Sequence, residues 1–292
     1  MSQSYHWTDD GTMTGNVLIT GANSGIGLDT LRRFAAAGWK VTATVRNQAR
    51  ALEFAALLGR EGLEAETLIY DALDRTATDE AVAKILSGPM PDILINNAAR
   101  TVFGPIELID DASLDLQLET NVVAPLRLTR ALIPHFRARG SGAIVNISSG
   151  NGFLPQGCEG VYSASKHALE AISEALYYEM RPFGVRVVVV EPGRTAAGSD
   201  HKIVFAGGFG PESAYWPEFS KRLERQHATI WKDDWAEDPK VVADAIFEAA
   251  TSSGQRLHWQ VGRDTKLAGK LRGRDLLDTY EERSLQALQA LI

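Results

Sequence analysis

A strand-like run, Val17-Leu18-Ile19-Thr20, breaks into Gly21-Ala22-Asn23-Ser24-Gly25-Ile26-Gly27 and then into the helical apolar spacing of Leu28, Leu31, Phe34 and Ala35. A second branched run, Val41-Thr42-Ala43-Thr44-Val45, follows. Strand, glycine turn, helix and strand make a βαβ unit, and parallel strands joined this way call for a sheet covered by its crossover helices. Glycines at such a turn let the backbone approach a pyrophosphate closely, while the helix N-terminus offers it unpaired N–H groups and a positive dipole. The spacing is T-G-x-x-x-G-x-G, not the G-x-G-x-x-G of the commoner dinucleotide fingerprint. Alone, the turn would serve equally as a tight bend. Inside a βαβ unit the phosphate cradle is the better reading.

The same alternation continues along the chain. Strand patterns fall at 16–20, 40–45, 66–70, 92–96, 143–148, 185–190 and 257–261, with helical patterns at 24–37, 48–60, 76–87, 112–139, 160–182 and 239–251. This predicts an α/β fold: one Rossmann-type domain with a doubly wound parallel sheet and helices on both faces. Its ligand should lie at the carboxyl ends of the strands, where the strand order reverses. The expected organisation is a flexible lead-in over 1–14, a catalytic domain over 15–262 and a helical tail over 263–292.

Composition narrows the function classes. A net charge of −7, without a Lys/Arg stripe, argues against a nucleic-acid partner. The single cysteine, Cys158, excludes an intrachain disulfide and suits a reducing, cytoplasmic setting. The first residues have neither a basic start nor an apolar core, and no apolar run reaches membrane-spanning length, so neither a secretory leader nor a membrane partner is expected. No metal site is expected.

Tyr162 and Lys166 stand four residues apart, so on a helix they share one face. A phenol is a poor proton carrier at neutral pH, and a cation held close to it favours the phenolate. The pair reads as a tuned general acid/base. By itself it reads more readily as a helix-face tyrosine beside a solvated lysine.

Taken in order, these segments resemble the short-chain dehydrogenase/reductase family. The turn Thr20 to Gly27 is followed by Asp92-Ile93-Leu94-Ile95-Asn96-Asn97-Ala98-Ala99, an isolated Asn121, Ile144-Val145-Asn146-Ile147-Ser148-Ser149, Tyr162 with Lys166, and Glu191-Pro192-Gly193. The resemblance implies an NAD(P)-dependent oxidoreductase acting on a carbonyl/alcohol pair. It assigns Ser149, thirteen residues before Tyr162, to the substrate oxygen, Tyr162 to proton transfer, and Lys166 to the nicotinamide ribose and to lowering the tyrosine pKa. Asn121 is the residue that would anchor a relay water. Cofactor contacts would come from Gly21, Asn23, Ser24, Gly25, Ile26, Gly27, Arg46, Asp71, Asn97, Ala98, Tyr162, Lys166, Pro192, Gly193 and Thr195. The family's P-G-x-x-x-T is broken here, with Ala197 in the threonine position and Thr195 a possible substitute. The resemblance also suggests a homodimer or homotetramer packed through helices near 112–139 and 160–182.

At the end of the second strand the family's acidic position falls on Val45, followed by Arg46. An apolar residue beside a guanidinium favours NADP over NAD, because Arg makes charge-assisted contacts to phosphate oxygens. A solvated loop Arg46 remains the other reading, and Asp71 reads either as the adenine contact or as a turn aspartate. NAD-linked alcohol oxidation and a non-catalytic nucleotide sensor stay open. A segment punctuated by Gly and Pro at about 194–238, whose place matches the substrate loop of the family, is expected to form a substrate lid. Phe205, Phe209, Tyr215, Trp216, Phe219, Trp231 and Trp235 in the lid segment suit a hydrophobic substrate or simply pack the lid. Phe153, Leu154 and Cys158 would line the same pocket.

Overall fold

The structure, a computed structural model, describes residues 6–7, 13–196, 203–229 and 236–266. Within the lead-in, β1 (His6–Trp7) and β2 (Met13–Thr14) pair antiparallel. The tail beyond residue 266, Ala197, Trp231 and Trp235 lie outside the described residues.

Each of the seven expected strands is present to within two residues at its ends. They are β3 (Asn16–Ile19), β4 (Lys40–Val45), β5 (Glu66–Ile69), β6 (Ile93–Asn96), β8 (Gly142–Ile147), β9 (Val185–Pro192) and β11 (His258–Val261). They form one parallel sheet in the order β11-β9-β8-β6-β3-β4-β5. The order reverses between β3 and β6, which puts the crevice above the glycine turn. Two further short strands, β7 (Thr101–Phe103) and β10 (Ile203–Phe205), pair parallel outside this sheet.

Successive residues of a strand face opposite sides, and here both sides are buried. Ile19, Val145 and Val190 pack with Leu31 and Phe34 of α1 (Gly25–Ala36) and Ile246 of α8 (Pro239–Thr251). Their neighbours Leu18, Ile144 and Val189 pack on the other face, against Leu128 and Leu132 of α5 (Ala124–Arg139) and Leu176 of α6 (Gly160–Met180). Each such side chain contributes about 1.5–3 kcal/mol. Local chemistry sets the helix ends. Asn47 caps α2 (Gln48–Glu61) through the Arg50 amide and Asp74 caps α3 (Arg75–Ser87) through the Ala77 amide. Gly62 closes α2 and Gly140 closes α5 in the left-handed region.

The helix expected over 112–139 is interrupted. α4 (Asp111–Leu118) passes into a π-helical turn at Glu119–Val123 before α5 begins. One extra residue per turn leaves the apolar spacing on either side intact, so periodicity alone does not reveal it. α7 (Trp216–Thr229) lies in the segment expected to form the lid.

Candidate active site

The glycine turn is held by side chains from three strand ends. Thr20 Oγ1 accepts the amides of Asn97 and Ala98 at 2.9 and 3.0 Å and donates to the Ile95 carbonyl. Asn97 Nδ2 donates to the carbonyls of Thr20 and Gly21 at 2.9 and 3.1 Å, and the Gly21 amide donates to Thr44 Oγ1. Gly21 adopts φ +65° with the Ala98 backbone 3.0 Å from where its Cβ would stand. Asn97 therefore shapes the cradle through its amide.

Asn23 is half-buried in the turn and Ser24 occupies the N-cap position of α1, where its side chain makes no cap bond. Gly25, at φ +55°, faces open space, and Gly25, Ile26 and Gly27 form the first turn of α1. An open glycine face at an uncapped helix N-terminus fits a dinucleotide diphosphate. Arg46 is exposed at the end of β4, and Asp71 Oδ1 accepts the Leu73 amide in the turn after β5.

At the other end of the crevice, Ser149 follows β8 and caps the short 3₁₀ turn at Gly150–Gly152, accepting the Asn151 amide at 3.2 Å. Its hydroxyl is hydrogen-bonded to the half-buried Tyr162 of α6. Burial pushes the Tyr162 phenol up to about 12, and the Ser149 hydrogen bond acts in the opposite direction. The lowering expected from Lys166 is thus not the net effect. The Lys166 ammonium lies 5.8 Å from the Tyr162 ring centre and donates to the Ile147 carbonyl at 2.8 Å.

Asn121 stands in the π turn and is 1% exposed. Its Oδ1 accepts the Arg100 amide at 2.8 Å, and its Nδ2 donates to the Arg100 carbonyl and to Ser165 Oγ at 2.9 and 3.1 Å. Gln117, one turn earlier and fully buried, adds bonds to the Val102 amide and the Arg100 carbonyl. The Asn121 side chain is thus a clamp between the segment after β6 and α6.

Pro192 ends β9. Beyond it Gly193 is packed against Asp264, whose Oδ2 accepts the Arg194 amide at 2.9 Å, and Thr195 bridges to Glu237. Behind α6, Glu170, Glu191 and His258 meet in the interior, with His258 Nδ1 2.8 Å from Glu191 Oε1. They tie α6 to β9 and β11.

Phe103, Phe209, Trp216 and Phe219 pack together, edge to face or tilted, with centroids 5.1–6.1 Å apart, and Cys158 packs against this cluster. Phe153 is buried, whereas Phe205 and Leu154 remain exposed.

The sequence model described as short chain dehydrogenase matches residues 15–204. The chain belongs to the short-chain dehydrogenase family. As a short-chain dehydrogenase/reductase it is an NAD(P)-dependent oxidoreductase. It is 32% identical over 257 residues to the uncharacterized oxidoreductase YusZ of Bacillus subtilis, covering 86% of this chain and 90% of that protein. It is also 36% identical over 183 residues to an NADPH-dependent 3-dehydrocapnine reductase of Ornithobacterium rhinotracheale, covering 60% of this chain and 64% of that one. A short-chain dehydrogenase from Sphingobium yanoikuyae in complex with NADPH superposes with a TM-score of 0.70 at 25% identity, over 95% of this chain and 96% of that one.

Within this short-chain dehydrogenase, sequence reading did not single out Gln117, Asp264, Glu170 or His258 as site supports. Arg100, at the end of the N-N-A-A segment, was also passed over. None carries a spacing rule, and only the folded chain brings Gln117 to the Arg100 segment, Asp264 to Gly193, and Glu170 and His258 together behind α6. Among the described residues no helix is long and apolar enough to cross a membrane.

Proposed function

We propose that this enzyme is an NADP-preferring oxidoreductase that moves hydride between nicotinamide and a hydrophobic ketone or secondary alcohol, with Tyr162 as general acid/base. The observation that carries the reading is the Ser149–Tyr162 hydrogen bond one helical turn from Lys166, with the phenol held protonated by burial.

When bound, the nicotinamide supplies or accepts the hydride. In reduction, Ser149 Oγ donates a hydrogen bond to the substrate oxygen and Tyr162 Oη gives it a proton as the C–H bond forms, leaving a phenolate that bulk water reprotonates. Lys166 binds the ribose hydroxyls, and its positive charge offsets the phenolate. Oxidation runs the same transfers backwards. The apolar cluster of Phe103, Phe209, Trp216 and Phe219 suits a bulky apolar substrate. The NADP preference rests on Val45 and the exposed Arg46 at the end of β4, and is in keeping with the NADPH-dependent relative and the neighbour solved in complex with NADPH.

The test is fluorescence titration with NADPH and NADH, followed by turnover of a ketone panel by wild type and Tyr162→Phe. Tighter NADPH binding, with turnover abolished and binding kept in the variant, supports the reading. Equal or tighter NADH binding points to the NAD-linked alternative. Cofactor binding without turnover of any carbonyl or alcohol by the wild type points to a nucleotide sensor.

A further inference from the structure

We propose that Arg100 is a second anchor, beside Arg46, for the 2′-phosphate that distinguishes NADP from NAD. This rests on the NADP reading above.

Arg100 ends the segment that begins at Asn97. Two residues before it, Ala98 lies against Gly21 of the cradle, and its amide is held by Thr20 Oγ1. The Arg100 backbone is fixed on both sides, its N–H by Asn121 and its carbonyl by Asn121 and Gln117, with distances of 2.8–2.9 Å. The direction in which the side chain leaves is therefore set by a buried scaffold. The guanidinium is half-buried, and neither it nor that of Arg46 makes a hydrogen bond or ion pair among the described residues.

Arg100 shares one electrostatic neighbourhood with Arg46, Arg50 and Asp71. Burial and the Arg46 charge hold its guanidinium below the usual value, Asp71 acts the other way, and Arg50 adds to the depression. Arg50 is paired with Glu53, and Asp71 spends one oxygen on its own turn. Unpaired guanidiniums of like charge, one of them half out of water, form a locus that an anion relieves.

Position selects which anion. The diphosphate belongs at the N-terminus of α1. Arg46 ends β4 and Asp71 follows β5, the neighbouring strand, with the Tyr70 amide donating to the Val45 carbonyl at 2.8 Å. The end of the second strand of a dinucleotide fold meets the adenosine ribose, where a phosphomonoester takes the place of the 2′-hydroxyl. A guanidinium fork matches its oxygens.

The test is calorimetric titration of the intact protein with adenosine 2′,5′-bisphosphate and with 5′-ADP, for wild type, Arg100→Met, Arg100→Lys and Arg46→Met. Wild type should prefer the bisphosphate by about tenfold or more, and Arg100→Met should lose about tenfold for the bisphosphate while leaving 5′-ADP unchanged. Arg100→Lys should restore part of the loss, and unchanged melting temperatures establish that the variants are folded. No preference in wild type overturns the NADP reading and this inference together. A preference lost in Arg46→Met but kept in Arg100→Met overturns this inference alone. Equal weakening of both nucleotides by Arg100→Met also overturns it, placing the residue at the diphosphate or in the fold.

Discussion

The Asn97 amide fills the space that a side chain on Gly27 would take: a Cβ there would stand 2.4 Å from Asn97 Nδ2 and 2.4 Å from the Gly21 carbonyl oxygen. Gly25, two residues earlier, has nothing within 4 Å of its Cβ position but sits at φ +55°. The two glycines are thus required for different reasons, one steric and one conformational.

Gly27→Ala should therefore cost about 1–3 kcal/mol of stability through overpacking, and should weaken cofactor binding by displacing Asn97. Gly25→Ala should cost about 1–2 kcal/mol through the left-handed backbone alone. Urea unfolding with cofactor titration separates them. A Gly27→Ala protein as stable as wild type would contradict the packing of Asn97 against the turn.

Asn121→Ala removes the clamp on Arg100 and Ser165. Leaving these buried partners unmatched should cost on the order of 2 kcal/mol. Hydrogen exchange at the Arg100 amide should accelerate far more than exchange in β3 or β8. Uniform acceleration across the sheet would mean that Asn121 acts on global stability and not on the segment after β6.

Alkaline stability should carry the signature of Tyr162. The phenol ionises near 10 in the unfolded chain and is pushed up to about 12 in the folded one, so its contribution is fully present below pH 10 and is lost as pH rises towards 12. Burial raises Tyr70 as well, so the difference between wild type and Tyr162→Phe is the informative quantity. Denaturant unfolding from pH 9 to 12 should give a shallower decline in the variant, and parallel curves would remove burial as the cause of the shift.

The segment that carries α7 is tied to the chain before α4 by a hydrogen bond from the exposed Tyr215 hydroxyl to Glu107. If the segment is a lid, Tyr215→Phe should speed proteolysis around Gly207–Gly210 and change KM for bulky ketones with little change in melting temperature. Phe209→Ala should act more strongly, since it opens the aromatic cluster itself. Limited proteolysis and steady-state kinetics with small and bulky ketones check both, and effects equal for small and bulky substrates would rule out a lid.

The sheet was legible because its strands are buried on both faces. Val17-Leu18-Ile19 and Val187-Val188-Val189-Val190 have no competing reading once turns and helices are placed around them. Ser149, Tyr162 and Lys166 were legible as a set, since a capping loop and one helical turn suffice to bring them together. Gln117 was not, because an amide in a helical pattern looks solvated until the segment it holds, Arg100 to Val102, is seen to lie across it. Nor was the upward displacement of Tyr162, which depends on what covers the hydroxyl and not on the spacing to Lys166. Phe103 and Phe209 are more than a hundred residues apart, and only the pairing of β7 with β10 makes them neighbours.

The π turn at Glu119–Val123 also has a genetic reading. It holds one residue more than an α-helical turn would, so deleting a single codon beside Asn121 would let α4 and α5 merge into one regular helix. The faces of α4 and α5 would stay as they are, because the π turn already absorbs the extra residue; the widened turn that presents Asn121 is what would be lost. Gln117 would keep the Arg100 segment and Leu128 and Leu132 the sheet, while Asn121 would lose its clamp on Arg100 and Ser165. Single-residue deletions here should be purged far more strictly than at the neighbouring surface loop around Gly88, and a deletion scan across 105–130 should leave a gap centred on residues 117–124.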